Sequence, residues 1–224
     1  MSKSSQTTDK ELRFLSENLG VSVSMAQAAQ LNAFNDLLIK WTQRFNLVSA
    51  NTLSDSITRH VLDALSIDPY IEKHSACDTD HKNLFDVLDI GSGAGLPVLP
   101  LAIANPDLSF ASVETNGKKI RFQRQVLMEL GLNNVELLHS RIESADVHAR
   151  NVTSRAFTAP AAFLEVASRC SAPTSQAIIM LGHAERLPDT LPKPWTLKTL
   201  HAVDVPGEFG ARHVAVCIRG TLHP

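Results

Sequence analysis

The run Asp89-Ile90-Gly91-Ser92-Gly93-Ala94-Gly95 carries the strongest chemical signal in the chain. It follows a short apolar stretch, Leu84–Ile90, and leads into a helical segment with Pro97 in the first turn, where proline is tolerated. Glycines at such a turn let the backbone approach a ligand closely and adopt conformations closed to other residues. The dinucleotide fingerprint, GxGxxG, seats a pyrophosphate on the helix end. Here the third glycine comes one residue early, as GxGxG. That tighter loop suits a nucleoside without a pyrophosphate. Glu114 ends the next strand-like segment, where a carboxylate can accept hydrogen bonds from both ribose hydroxyls. Gly91, Gly93 and Glu114 therefore read as a nucleoside site at the switch point of an open sheet.

The loop spacing favours S-adenosylmethionine over a nicotinamide dinucleotide as the ligand. Just beyond Glu114, Lys118, Lys119, Arg121 and Arg124 form the densest basic cluster in the chain. On a helix, Lys118 and Arg121 share a face, as do Arg121 and Arg124. The cluster is a candidate phosphate grip beside the pocket, or else a solvated helix face. Two further pairs are ambiguous. Trp41 and Phe45, one helical turn apart, could stack bases or pack into a core. His60 and Asp63 could form a catalytic pair or a structural hydrogen bond.

The elements that must carry these residues follow from periodicity. Leu12, Leu15 and Leu19 fall on one helical face, stopped by Gly20. Ser24 can cap a second helix with Leu31, Phe34, Leu37, Leu38 and Trp41 as its apolar positions, and Ser54 a third. From Leu84 onward the rhythm changes. Strands are expected at Leu84–Ile90, Ser109–Glu114, Val135–Ser140, Val152–Phe157, Ala177–Gly182, Leu197–Val205 and His213–Ile218. Helices are expected after Pro97, over Asn116–Leu130 and over Ala159–Cys170. Strands alternating with helices predict a parallel, doubly wound sheet, and the final pair predicts an antiparallel hairpin at one edge. The domain reading is a helical extension over residues 1–71, a polar linker over 72–83 and a sheet domain over 84–224.

Composition narrows the classes. The chain has 224 residues, 44% hydrophobic and 20% charged, with a net charge of −2. Wholesale disorder is excluded, and a generic nucleic-acid coat protein would be far more basic. No apolar run is long enough to cross a membrane, and the polar start is not a secretory signal. The three cysteines, Cys77, Cys170 and Cys217, are far apart, and no CxxC or HExxH occurs. Neither a disulfide framework nor a metal site is expected, and a reducing cytoplasm fits.

Several longer motifs run in order through the chain. They are Trp41-Thr42-Gln43-Arg44-Phe45-Asn46-Leu47, Arg59-His60-Val61-Leu62-Asp63 and the glycine loop extended by Leu96-Pro97. Then come Asn116-Gly117-Lys118-Lys119-Ile120-Arg121-Phe122-Gln123-Arg124-Gln125, Ser140-Arg141-Ile142-Glu143, Ser154-Arg155-Ala156-Phe157 and Gly210-Ala211-Arg212-His213. Over about residues 12–220 the sequence resembles the RsmG (GidB) family of bacterial 16S rRNA guanine-N7 methyltransferases. The resemblance implies a Rossmann-like class I S-adenosylmethionine-dependent methyltransferase fold with a mostly parallel seven-stranded sheet. It implies cofactor contacts at Gly91, Leu96, Ile142, Glu143 and Arg155. It also implies 16S rRNA as partner, presented on the small ribosomal subunit, and RNA contacts from the Lys118, Lys119, Arg121 and Arg124 cluster. A monomer is expected. The sequence departs from the family pattern at Leu181, where the family carries lysine.

Guanine N7 has a free lone pair, so methylation there needs no deprotonation and no general base. In keeping with this, the chain has neither a Pro-Pro motif of the amino-methyltransferase kind nor a Pro-Cys nucleophile. Two other readings predict different behaviour. A small-molecule methyltransferase would work without RNA and ignore neutralisation of the basic cluster. A noncatalytic cofactor-binding module on the ribosome would bind cofactor and RNA without turnover.

Overall fold

The computed structural model describes residues 7–73, 84–155, 159–207 and 210–220. Most of the expected linker, Cys77, and the Ala156-Phe157 end of one family motif lie outside the described residues.

The chain opens with α1 (Asp9–Asn18) and α2 (Met25–Phe45). Each begins with a capping box, Thr8 with Glu11 and Ser24 with Gln27, so two orphan amides per helix find side-chain partners. Gly20, in the left-handed region, follows the end of α1 as expected. The third segment departs from expectation. Ser54 caps nothing; it lies inside a 3-10 stretch, Ala50–Asp55, and donates to Asp55. The chain then winds as a π-helix over Ile57–Leu62 before one α-turn, α3 (Asp63–Leu65). Such winding turns His60 and Asp63 inward, and both are buried.

Seven strands follow: β1 (Leu84–Ile90), β2 (Phe110–Val113), β3 (Val135–Leu138), β4 (His148–Ser154), β5 (Ser171–Leu181), β6 (Trp195–Ala202) and β7 (His213–Arg219). Their order is β3-β2-β1-β4-β5-β7-β6, parallel except for β7, which runs antiparallel to both neighbours. Between them lie α4 (Val98–Ala104), α5 (Gly117–Leu130) and α6 (Pro160–Cys170). The order reverses between β1 and β4, the switch point where open sheets bind ligands beyond their carboxyl ends.

Both β4 and β5 begin earlier than the apolar pattern suggests. The start of β4 is polar, yet Asn151 is fully buried because it bonds to Glu72, Asp86 and Gln176. A polar side chain can be buried in a strand where its hydrogen bonds are made within the fold. The N-terminal helices share one buried cluster with α4 and α5. Phe34, Leu38 and Leu62 pack with Leu101, Phe122 and Val126, while β4, β5 and α6 form a second cluster on the other face. Trp41 meets Phe122 at 5.6 Å and Phe45 at 5.2 Å, so its role is packing against α5 rather than base stacking. Cys170 and Cys217 are buried, and burial pushes their thiols up to about 12 and about 11. No helix among the described residues is long and apolar enough to cross a membrane.

Candidate functional site

At the end of β1, Gly91, Gly93 and Gly95 have φ values of 69°, 59° and 74°. An L side chain there would cost about 1–2 kcal/mol per residue, so the loop requires its glycines. Gly95 has a second constraint, since a Cβ would clash with the Leu99 side chain. The loop is tied from below. Gln123 on α5 donates to Gly93 O at 2.8 Å and Ser92 Oγ at 2.9 Å, and accepts from Ser112 Oγ at 2.6 Å. It is tied from the side as well. Glu114 Oε2 accepts from the Gly93 amide at 2.8 Å, and Oε1 accepts from the Asn116 amide at 2.8 Å. A carboxylate offers about four lone-pair positions, so Glu114 retains acceptor capacity toward a ribose.

Above this loop is a cavity of about 410 Å³. Gly91, Glu114, Ile142 and Glu143 all line it, so four of the expected cofactor residues meet on one surface. Lys119, Ser140 and Arg141 complete much of the wall. Gly93 joins through its bond to Glu114. Leu96 is buried beneath the loop and is not on the wall. Next to the glycines, Asp89 is fully buried, and neither carboxylate oxygen meets a hydrogen-bond partner. Burial raises its pKa well above the usual range; the Val98 amide and the Arg155 guanidinium oppose this only in part. A buried carboxylate whose charge is only partly compensated suits a cation supplied from outside the chain.

Arg155 lies elsewhere. It faces a second cavity of about 700 Å³ beyond the ends of β4 and β5, on the other side of the switch point. Both volumes fall within the range of small-ligand pockets, about 300–1,000 Å³. Asp63 gathers two arginines there. Its Oδ2 accepts from Arg155 Nη1 at 3.3 Å and its Oδ1 from Arg212 Nε at 3.0 Å. Arg155 Nη2 lies 3.2 Å from His60 Nδ1, and His60 Nε2 lies 2.8 Å from Thr52 Oγ1. Thr52 already donates to the Ser49 carbonyl, so His60 must donate from Nε2 and accept at Nδ1. Desolvation, with Arg155 and Arg59 nearby, lowers the His60 pKa to about 4. His60 and Asp63 therefore do not pair with each other; each binds an arginine. Leu181, which stands where the family carries lysine, is buried and lines this cavity.

Of the basic cluster, Lys118, Arg121 and Arg124 are exposed on α5, and Arg121 also reaches back to Gly117 O. Lys119 is different. Its Nζ lies 3.7 Å from where a Gly93 Cβ would stand, turned toward the glycine loop. Sequence reasoning misses three features here: the orphaned Asp89, the tether through Gln123, and the Asp63–Arg155–Arg212 knot. Asp89 and Gln123 leave a signal, each being a polar residue where the pattern demands burial. The members of the knot each stand in a motif of the family resemblance, but they are far apart in the chain and nothing in their spacing says that they meet.

Comparisons with known proteins identify the family and the fold. The family model described as rRNA small subunit methyltransferase G matches residues 27–213. A ribosomal RNA small subunit methyltransferase G of Marinobacter nauticus is 36% identical, covering 92% of this chain and 92% of its own. That of Azoarcus sp. is 37% identical over 90% of this chain and 92% of its own. Among solved structures, magnesium protoporphyrin IX methyltransferase from Synechocystis PCC 6803 with bound SAM superposes with a TM-score of 0.54. At 11% identity, covering 84% of this chain and 97% of that one, it shares the fold alone. The sheet order, with its inserted antiparallel β7, is that of class I methyltransferases. With fold, loop and full-length relatives in accord, the chain belongs to the rRNA small subunit methyltransferase G (GidB) family.

Proposed function

We propose that this protein transfers a methyl group from S-adenosylmethionine to N7 of a guanine in 16S rRNA, within the small ribosomal subunit and as a monomer. The observation that carries this reading is the pair of cavities flanking the β1–β4 switch point, one above the glycine loop and one beyond β4 and β5.

The residues present fit the cofactor. Gly91, Gly93, Glu114, Ile142 and Glu143 would hold its nucleoside half, with Glu114 accepting from ribose hydroxyls and Leu96 supporting the loop from its buried position. Asp89, buried and only partly compensated, would accept from its ammonium group. Arg155, coupled electrostatically to Asp89, would border its reactive end. The bound cofactor supplies an electrophilic methyl group on a positively charged sulfur. The chain's own contribution is orientation, which can supply roughly 7–11 kcal/mol when a nucleophile is held in line. No residue need remove a proton. In agreement, both ring nitrogens of His60 are engaged with Arg155 and Thr52, and its low pKa keeps it neutral. The target base must be unstacked to enter a pocket. Lys118, Lys119, Arg121 and Arg124 would contact RNA, with Lys119 at the boundary between cofactor and RNA.

The test is transfer of radiolabelled methyl from S-adenosylmethionine to small-subunit particles lacking the modification, to naked 16S rRNA and to no RNA. The expected result is label on one guanine, at a site cleavable by chemistry specific to N7-methylguanine. Label without RNA would favour a small-molecule acceptor, and cofactor binding with no label would favour the noncatalytic module.

A further inference from the structure

We propose that Ser154 contacts the substrate: its hydroxyl donates to O6 of the target guanine and so holds N7 toward the cofactor's methyl group. This rests on the rRNA reading above and deepens it, since it assigns a residue at the base itself, outside the cofactor set and the basic helix.

Ser154 closes β4, one residue beyond Thr153, whose partner across β1 is Asp89. It therefore stands at the carboxyl end of the sheet, beside the switch point. It is only 4% exposed, and its Oγ has no hydrogen-bond partner among the described residues. Other buried polar residues of the strand behave differently. Asn151 donates to the Asp86 carbonyl and accepts from Gln176, and Thr153 donates to the Ile178 carbonyl. A buried hydroxyl left unpaired costs free energy, so such a group beside a ligand cavity points to a partner from outside the chain.

Ser154 lines the larger cavity and not the one above the glycine loop. Several other polar side chains of that lining are spent on one another. Asp63 accepts from Arg155 and Arg212, His60 is engaged at both ring nitrogens, and Thr52 stands between His60 and the Ser49 carbonyl. With no bond to give up, the Ser154 hydroxyl turns toward a ligand at the cost of a rotamer change alone. The next residue, Arg155, is held by Asp63 and His60 and interacts with Asp89, so the hydroxyl stands one residue from the cofactor's expected reactive end. The N7 edge of guanine carries two acceptors, N7 and O6. N7 must face the methyl group, so O6 is the atom left for a neighbouring donor. A hydroxyl meets that demand, and fixing O6 fixes the in-line approach of N7.

The test uses the full chain, wild type, Ser154→Ala and Ser154→Thr. Single-turnover methyl transfer is measured on unmodified small-subunit particles that carry, at the guanine which takes the label, either guanine or 2-aminopurine, a base that keeps N7 and lacks O6. Calorimetry with S-adenosylhomocysteine and urea unfolding accompany it. Ser154→Ala is expected to slow transfer to guanine about fivefold, the worth of one neutral hydrogen bond, and to leave transfer to 2-aminopurine at the wild-type rate. Ser154→Thr, which keeps a hydroxyl, recovers most of the rate on guanine. Affinity for S-adenosylhomocysteine is unchanged in Ser154→Ala, and its urea midpoint is equal to or above that of wild type, because no bond within the fold is lost. An unchanged rate on guanine overturns the contact, and so does an equal loss on both bases. A fall in S-adenosylhomocysteine affinity overturns it by assigning the hydroxyl to the cofactor. A lowered urea midpoint overturns it by assigning the hydroxyl to the fold. Absence of wild-type transfer to guanine overturns the rRNA reading and this contact with it, whereas normal wild-type transfer with no effect of Ser154→Ala overturns the contact alone.

Discussion

The side chain of Gln123 donates to the carbonyl of Gly93 at 2.8 Å, joining the middle of α5 to the middle of the glycine loop. Gln123 is fully buried and also engages Ser92 and Ser112. Gln123→Ala leaves the Gly93 carbonyl without this donor and Ser92 and Ser112 with only each other, at a cost of about 1–3 kcal/mol. The expected outcome is a lower midpoint in denaturant unfolding together with weaker S-adenosylhomocysteine binding in calorimetry. Loss of stability with full cofactor affinity would mean that the loop holds its shape without the tether.

Gly95→Ala meets both a left-handed backbone and the Leu99 side chain. Strain and overpacking together should cost about 2 kcal/mol or more. Adding Leu99→Ala relieves the clash but not the backbone strain, so thermal melts of the double variant should lie above those expected from additive losses.

Asp89→Asn separates stability from function. The native carboxyl is held well above its ordinary pKa by burial, so ionisation at neutral pH works against the fold. The amide removes that penalty. The variant should therefore gain stability over wild type at pH 7, with the gain vanishing as pH falls toward the carboxyl's unfolded value near 4. Its affinity for S-adenosylhomocysteine should drop at least tenfold. Equal affinity would remove Asp89 from the cofactor site.

His60 gives a second pH signature, of opposite sense. Its folded pKa is about 4 against 6.5 ordinarily. Between those values the unfolded chain binds more protons, so stability rises with pH; the contribution is complete above 6.5 and is lost as pH falls toward 4. The size is about 3 kcal/mol at most. Urea unfolding of wild type and His60→Gln at pH 7 and pH 4 isolates it. The wild-type advantage should shrink on acidification, and a constant difference would contradict a neutral, buried imidazole.

Neutralising Lys118, Arg121 and Arg124 together should weaken particle binding and flatten its salt dependence, by about one in slope for each phosphate no longer gripped. Protein stability should hold, because all three are exposed. Lys119→Gln is expected to behave differently and to lower cofactor affinity as well, since its ammonium leans over Gly93.

Where local chemistry decides structure, the sequence is readable. Asn116 caps α5 and Gly131 ends it with φ of 66°, at the boundaries that residue type predicts. The glycine loop and Glu114 come together because one turn and one strand end are enough to place them. Elsewhere the deciding interactions are distant. Asn151 is a buried strand residue only because Glu72, Asp86 and Gln176 satisfy it. The irregular winding over Ala50–Leu62 serves contacts made by His60 and Asp63 with arginines far along the chain. Family resemblance groups Arg155 with the glycine-loop residues, but β4 lies across the switch point from β2, so Arg155 borders the second cavity instead.

The place of β7 has a consequence for synthesis. β6 precedes β7 in the chain, yet β7 is inserted between β5 and β6. As the polypeptide leaves the ribosome, β6 has nothing to pair with until residues 213–219 have emerged. Until then β5 presents an open edge carrying Ile178 and Ile179, a template for pairing with another nascent chain. Pauses in translation over 203–212 would prolong that exposure, and slow codons there should raise the insoluble fraction more than slow codons between the parallel strands.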